Sequence, residues 1–136
     1  MTDELKTEVL EVASRFHLCV LATVNSESAP EAAIVGFSVD QDLEVLFGTS
    51  KTTRKYANLQ QNPRVAITIG DYKAEIQYEG TAKEIDLHEA EQRFGATPGI
   101  EKYREDLNQT WWLTTPQWLR LTVHETPNRV VEARLA

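Results

Sequence analysis

Cysteine is almost missing from this sequence, which has Cys19 alone among 136 residues. A chain with one cysteine can form no internal disulfide, and it cannot build a zinc site from several thiolates. Cys19 stands within the apolar run of residues 18–22. We therefore expect a small buried side chain at this position rather than a nucleophile.

Long apolar segments are missing too, since no run approaches the roughly 20 residues that span a bilayer. The first four residues, Met-Thr-Asp-Glu, do not have the pattern of a secretory signal. Basic residues are in deficit, 14 against 21 acidic ones, so the formal net charge is −7. An acidic chain of this kind is a poor partner for nucleic acid or an anionic membrane, and we expect it in the cytoplasm.

Motifs of metal binding and nucleophilic catalysis are also missing. His17, His88 and His124 are scattered, without the HxxxH or HExxH spacing that holds zinc. No GxSxG elbow, P-loop or GxGxxG fingerprint occurs. We therefore expect no metal site, and the sequence assigns a catalytic role to no residue.

The composition that is present, 41% hydrophobic and 26% charged, is that of one folded domain, which we expect to span residues 1–136. Apolar spacing, caps and turn residues predict helices at 3–16, 50–62, 86–95 and 97–107. They predict strands at 17–24, 32–39, 43–49, 65–69, 74–85, 118–125 and 128–135. Residues 111–113 are expected in a loop. The sum is a small antiparallel β-barrel or α+β domain.

A local reversal of charge is the most informative feature. Residues 45–70 hold no acidic side chain but four basic ones, Lys51, Arg54, Lys55 and Arg64. Lys51, Arg54 and Lys55 are spaced to share one helix face, beside the hydroxyls of Thr49, Ser50, Thr52 and Thr53. Backbone N–H groups at a helix start, hydroxyls and cations together make a phosphate cradle. The alternative is a solvent-exposed basic helix face.

The aromatic cluster of the sequence consists of Trp111, Trp112 and Trp118. One interpretation is packing in the core or between subunits. The other is a flat wall beside an aromatic ligand.

Several segments stand in the order in which a known family has them. They are Leu21-Ala22-Thr23-Val24, Pro30, Phe47-Gly48-Thr49-Ser50, Thr53-Arg54-Lys55 and Asn58-Leu59-Gln60-Gln61-Asn62-Pro63-Arg64-Val65-Ala66. From about residue 10 to 85 the sequence resembles the pyridoxamine 5′-phosphate oxidase-like group of FMN-binding split barrels. The resemblance implies a mainly β, six- to seven-stranded antiparallel split barrel with helices. It also implies a homodimer with FMN bound at the subunit interface.

The resemblance further implies a set of cofactor-binding residues. The phosphate would be held at the end of the third strand and the start of the next helix, by Thr49, Ser50, Thr53, Arg54 and Lys55. The second strand would offer backbone atoms to the flavin ring, at Ala33, Ile34, Val35 and Gly36. A late strand of the partner subunit would add Trp118 and Arg120.

Departures from the family pattern argue against oxidation of vitamin B6. Pyridoxamine phosphate oxidases carry basic residues where this chain has Ala33 and Ser38, and a glutamine where it has Glu75. Their C-terminal Arg-Leu-His signature is reduced here to Arg134-Leu135-Ala136. The short acidic chain looks more like the general-stress-protein branch of the group.

The function implied is an FMN-dependent oxidoreductase acting on a small molecule, with a nicotinamide as a compatible electron donor. One alternative is a flavin-binding or flavin-storage module without turnover. Another is the same fold with a deazaflavin or with haem as the cofactor. Haem would need an axial ligand, for which only the three histidines could serve.

Overall fold

The computed structural model describes residues 1–95 and 97–135 of the chain. Ala96 lies outside the described residues, and so does Ala136 at the end of the Arg-Leu-Ala fragment. The strands are β1 (Leu18–Val24), β2 (Pro30–Val39), β3 (Val45–Ser50), β4 (Arg64–Gly70), β5 (Ala74–Ile85), β6 (Gln109–Val123) and β7 (Arg129–Arg134). The helices are α1 (Asp3–Ala13), α2 (Arg54–Gln61), α3 (Leu87–Phe94) and α4 (Pro98–Tyr103).

Six strands close into a barrel. Their order around the sheet is β3, β2, β1, β4, β5, β6, and the first part of β6 pairs back with β3. The second part of β6 pairs with β7, which is an extra strand outside the closed ring. All of these pairings are antiparallel. The prediction of an antiparallel split barrel with helices is therefore confirmed.

Strand β6 shows that the predicted loop at residues 111–113 was wrong. β6 begins at Gln109, and its first part pairs with β3 on one edge and with β5 on the other. Residues 110–114 are all buried. A strand covered on both faces carries no alternation of polar and apolar residues, so the usual strand signal is absent there.

Helix α1 confirms its predicted cap but ends earlier than predicted. The Thr2 hydroxyl accepts a hydrogen bond from the Leu5 N–H at 3.1 Å. The helix stops at Ala13 because the N–H groups of Arg15 and Phe16 bond to carbonyls three residues back, which is a tighter turn.

The two later helices lie between the caps that the sequence predicts. The Asp86 carboxylate accepts from the Glu89 N–H at 2.8 Å, and Gly95 ends α3. Helix α4 stops at Tyr103, before the predicted end at residue 107. Within residues 1–95 and 97–135, we find no helix with the length and apolar character needed to cross a membrane.

The barrel interior is the main core, and a smaller core lies under α3 and α4. In the main core, the Tyr78 hydroxyl lies 2.8 Å from the Leu43 carbonyl oxygen and 3.1 Å from that of Thr114. Burial raises the pKa of this phenol, and the nearby carboxylates Glu44 and Asp40 raise it further. The hydroxyl therefore acts as a neutral polar link between strands.

Candidate cofactor site

The barrel is split between β2 and β3. These strands pair only over residues 37–39 and 45–47, after which the rest of β3 pairs with β6. The Phe37 N–H donates to the His17 carbonyl on the β1 side at 3.3 Å. Because backbone groups alternate between the two edges of an antiparallel strand, Ala32, Ile34 and Gly36 direct theirs toward the gap.

Hydroxyl side chains gather where β3 ends and α2 begins. Thr53 is the N-cap of α2: its Oγ1 accepts from the Tyr56 N–H at 3.4 Å and lies 2.7 Å from Thr49 Oγ1. The hydroxyls of Ser50 and Thr52 are 2.9 Å apart. First-turn N–H groups lack partners within a helix, so this end of α2 is suited to an anion.

Helix α2 is anchored to the barrel by its other face. Tyr56 meets Trp112 edge to face, with ring centroids 6.2 Å apart. Leu59 is buried in the main core. The Asn58 amide is buried as well and donates to Thr23 Oγ1 at 2.9 Å. These contacts fix α2 relative to β1 and β6.

A groove of about 120 Å³ lies between the start of β2 and the start of α2. Its lining brings together two of the predicted phosphate residues and one residue predicted to face the ring, with two neighbours on β2: Arg54, Lys55, Ala33, Glu31 and Ala32. The Arg54 side chain is 79% exposed, so a ligand can reach it although it also pairs with Glu31. The groove is a small pocket with two cations at a helix start.

Glu31 is the residue of this groove that sequence reasoning missed. Its carboxylate pairs with Arg54 at 3.0 Å and accepts from the Asn58 amide at 2.8 Å. The hydrogen bond from Asn58 lowers the pKa of Glu31, and contacts with Asn25 and Arg54 lower it further. Residues 45–70 carry no acid of their own, but β2 supplies one to the same place.

A larger cavity of about 340 Å³ lies beyond the other end of the gap. It is bounded by β2, β3, α4 and the first residues of β6. The residues that line it are His17, Gly36, Phe37, Ser38, Leu46, Phe47, Gly48, Thr97, Pro98, Gly99, Tyr103, Gln109 and Trp111. Among the lining residues that the structure describes, none is lysine, arginine, aspartate or glutamate. The volume lies at the low end of the roughly 300–1,000 Å³ typical of ligand pockets.

Two glycines shape this cavity in different ways. A Cβ on Gly48 would lie 2.9 Å from the Trp111 ring, so glycine lets β3 approach that ring. A Cβ on Gly36 would meet only the His17 carbonyl, at 3.9 Å, so Gly36 leaves space rather than filling it. The cavity wall at Gly36 is therefore backbone, which a flat ligand can approach closely.

The structure separates two predicted residues from all the others. Trp118 and Arg120 lie on the outer face of β6, where the Arg120 guanidinium stacks 5.4 Å from the Trp118 ring and pairs with Glu132 at 2.8 Å. Within one chain they do not reach the gap. The three tryptophans of the sequence lie apart: Trp112 packs in the main core, and Trp111 packs in the smaller core and lines the cavity.

Several other residues that the sequence assigned to the cofactor site or to the basic helix face differ in how they are placed. Ile34 is 69% exposed on the outside of the barrel, while the Val35 side chain is buried. The backbone groups of Val35 face β1, so Val35 does not offer them to the gap, contrary to the prediction. Lys51 precedes α2 and does not share a helix face with Arg54, contrary to the prediction. Thr49 is buried behind Thr53.

Cys19 and a cluster of three carboxylates lie outside the groove and the cavity. Burial raises the pKa of the Cys19 thiol to about 12. Three carboxylates gather at the β2–β3 turn, Asp40, Asp42 and Glu44. Asp40 accepts from the backbone N–H groups of the other two, and Glu44 pairs with Arg93 at 2.9 Å. These acids therefore shape the turn and hold α3.

Solved structures share this fold at low sequence identity. A haem binding protein from Mycobacterium smegmatis superposes with a TM-score of 0.82 and 18% identity, over 98% of this chain and 59% of that one. A protein related to general stress protein 26 from Clostridium acetobutylicum has a TM-score of 0.80 and 18% identity, over 99% and 97% of the two chains. General stress protein 26 from Bacillus anthracis gives 0.76 and 20%, over 97% and 99%.

The chain thus spans about three fifths of the haem binding protein and nearly all of the two stress proteins. No curated protein matches the sequence. The sequence pattern of the family described as pyridoxamine 5′-phosphate oxidase matches residues 5–128. The chain belongs to the pyridoxamine 5′-phosphate oxidase family.

Proposed function

We propose that this protein binds FMN in the gap between β2 and β3 and acts as an FMN-dependent oxidoreductase on a small molecule. The observation that carries the proposal is the placement of two different pockets along one strand. The cationic groove adjoins Ala33, and the apolar cavity adjoins Gly36. Three residues of extended chain span about 10 Å. FMN likewise has a phosphate at one end and a flat ring at the other.

The residues present fit this cofactor. Arg54, Lys55 and the N-terminal end of α2 suit a phosphate, and Ser50 adds a hydroxyl. The Thr53 hydroxyl holds the start of the helix as its cap and donates to the Ser50 carbonyl. The backbone of Ile34 and Gly36 faces the gap, where it can hydrogen-bond the polar edge of a ring. When bound, the flavin supplies hydride transfer, so the protein has to bind and orient the ring and limit its contact with water.

A homodimer is part of the proposal. The outer faces of β1 and β2 expose Leu18 by 60%, Val20 by 41% and Ile34 by 69%, and Val20 pairs directly with Ile34. Exposed apolar residues in direct contact are typical of an interaction surface. Members of the family are often dimeric.

The outer surface is continuous from this apolar area to Arg120. A directly paired row of residues crosses six strands: Ile34, Val20, Thr68, Gln77, Arg120 and Glu132. A twofold contact between two copies of such a surface is self-complementary. It offers a route by which Trp118 and Arg120 of a second copy reach the gap that one chain leaves open.

Haem is the second candidate, and one observation favours it. His17 lines the cavity beside Trp111 and Tyr103, so an imidazole stands where a large flat ring could lie. One structural neighbour is described as a haem binding protein. Haem held by His17 would require the metal to enter this same cavity, so flavin and haem would compete.

The visible spectrum of the purified protein, before and after addition of FMN or haemin, tests the choice. Saturable binding of FMN, with the flavin band perturbed and turnover with NADH or NADPH, supports the proposal. FMN binding without turnover would leave a flavin-binding module. Tight haemin binding that is lost in His17→Ala, together with no FMN binding, would replace flavin by haem.

A further inference from the structure

Glu31 places a negative charge inside the groove proposed for phosphate. Its side chain is only 16% exposed, and Oε2 lies 3.0 Å from Nη1 of Arg54. Asn58 donates to Oε1 at 2.8 Å, and Asn25 donates to Oε2 at 3.3 Å. The two amides hold the carboxylate in place without help from Arg54.

The groove attracts a phosphate less strongly than its two cations alone would, because it also holds a carboxylate. Arg54 and Lys55 bring two positive charges, and Glu31 cancels one of them. A phosphate monoester carries about −1.5 to −2 at neutral pH. It would meet a fixed carboxylate that already uses the Arg54 guanidinium, and like charges at close range repel.

We propose that Glu31 is a specificity-determining residue that competes with phosphate for Arg54. Glu31 thereby lowers the preference of the groove for a phosphorylated ligand over its unphosphorylated counterpart. The flavin part of this inference rests on the proposed function, but the competition for phosphate does not. A positioning role, in which Glu31 holds Arg54 ready for phosphate, predicts the opposite effect of removing the charge.

The substitution Glu31→Gln separates these roles. The glutamine carbonyl can still accept from Asn58, while its amide no longer attracts Arg54. Glu27→Gln is the matched control, because it removes the same charge from the adjacent turn. Glu27 forms no ion pair within residues 1–95 and 97–135. Glu31→Ala serves as a second variant if the glutamine form folds poorly.

Each variant is tested in two titrations, one with flavins and one with inorganic phosphate. The first comparison is FMN against riboflavin, which lacks the phosphate. We expect Glu31→Gln to bind FMN about fivefold tighter, the scale of one unit-charge repulsion at roughly 4 Å in water. Riboflavin affinity should stay the same, and Glu27→Gln should match the wild type with both ligands. If the wild type binds FMN, then weaker or unchanged FMN binding by folded Glu31→Gln overturns the inference.

The second probe is inorganic phosphate, read as the rise in melting temperature with concentration. A ligand that binds only the folded state raises this temperature by mass action. We expect Glu31→Gln to reach half of the effect at a lower phosphate concentration than the wild type. If neither form binds FMN but this difference appears, the proposed function fails and the competition stands. If phosphate stabilises both forms equally, the inference is wrong whatever flavin does.

Discussion

At the scale of single residues, burial decides what Cys19 can do. Its side chain is 4% exposed, and burial raises the pKa of the thiol to about 12. The thiolate is the reactive form, so at neutral pH the thiol should be inert in the folded protein. We expect iodoacetamide to modify Cys19 far faster in denaturant than in buffer, as measured by mass spectrometry. Equal rates in both would contradict the buried, structural role.

Tyr78 is a second residue whose role follows from its surroundings. Its hydroxyl links the carbonyls of Leu43 and Thr114 inside the barrel. Tyr78→Phe should lower the free energy of unfolding by about 1–3 kcal/mol, because it leaves buried carbonyl groups without that donor. Urea denaturation measures the change. Tyr72→Phe is the control, since Tyr72 is 80% exposed and the substitution should cost little; equal losses would refute the assignment.

At the scale of the elements, the sequence identified those with local signals. Helix α3 has an acidic cap and a terminal glycine, and buried residues alternate with more exposed ones along most of β5. Both elements were therefore predicted at nearly their observed bounds. The start of β6 was missed because it is paired on both edges and buried on both faces. No local pattern records such long-range pairing.

The same distinction holds for the candidate site. Thr49, Ser50, Thr53 and Arg54 are neighbours in sequence, so their gathering at the start of α2 was predictable. The meeting of Glu31 with Arg54 depends on how β2 packs beside α2, and the cavity depends on α4 covering β3. Spacing along the chain carries no information on either contact.

The gap between β2 and β3 also yields a prediction. A Cβ on Gly36 meets nothing closer than 3.9 Å, so Gly36→Val should fold but put two methyl groups beside the cavity. We expect FMN and riboflavin affinities to fall together by at least about tenfold, the scale of 1.4 kcal/mol. Unchanged melting temperature in the absence of ligand is the control. Unaltered affinity for both flavins would show that the ring does not lie against β2 at this point.

At the scale of the whole molecule, the exposed apolar area of β1 and β2 is the feature that one chain leaves unexplained. Val20 lies at its centre, between Ile34 and Thr68 on the neighbouring strands. Val20→Glu should shift the protein from dimer to monomer in sedimentation velocity, because a charge would be buried at the contact. Leu107→Glu is the control, since Leu107 is 93% exposed elsewhere. A wild-type monomer that binds FMN tightly would rule out the shared site.

The central claim, that the groove at α2 holds the phosphate of FMN, is tested most directly by comparing two flavins on two variants. Arg54→Ala removes a cation that lines the groove, and Lys51→Ala removes an exposed one just before the helix.

Dissociation constants for FMN and riboflavin are measured for the wild type and both variants. We expect Arg54→Ala to weaken FMN binding by roughly tenfold or more, since a hydrogen bond to a charged group contributes about 1.5–3 kcal/mol. Riboflavin binding should change little, and Lys51→Ala should resemble the wild type with both flavins. FMN binding by Arg54→Ala that is as tight as in the wild type would contradict the account.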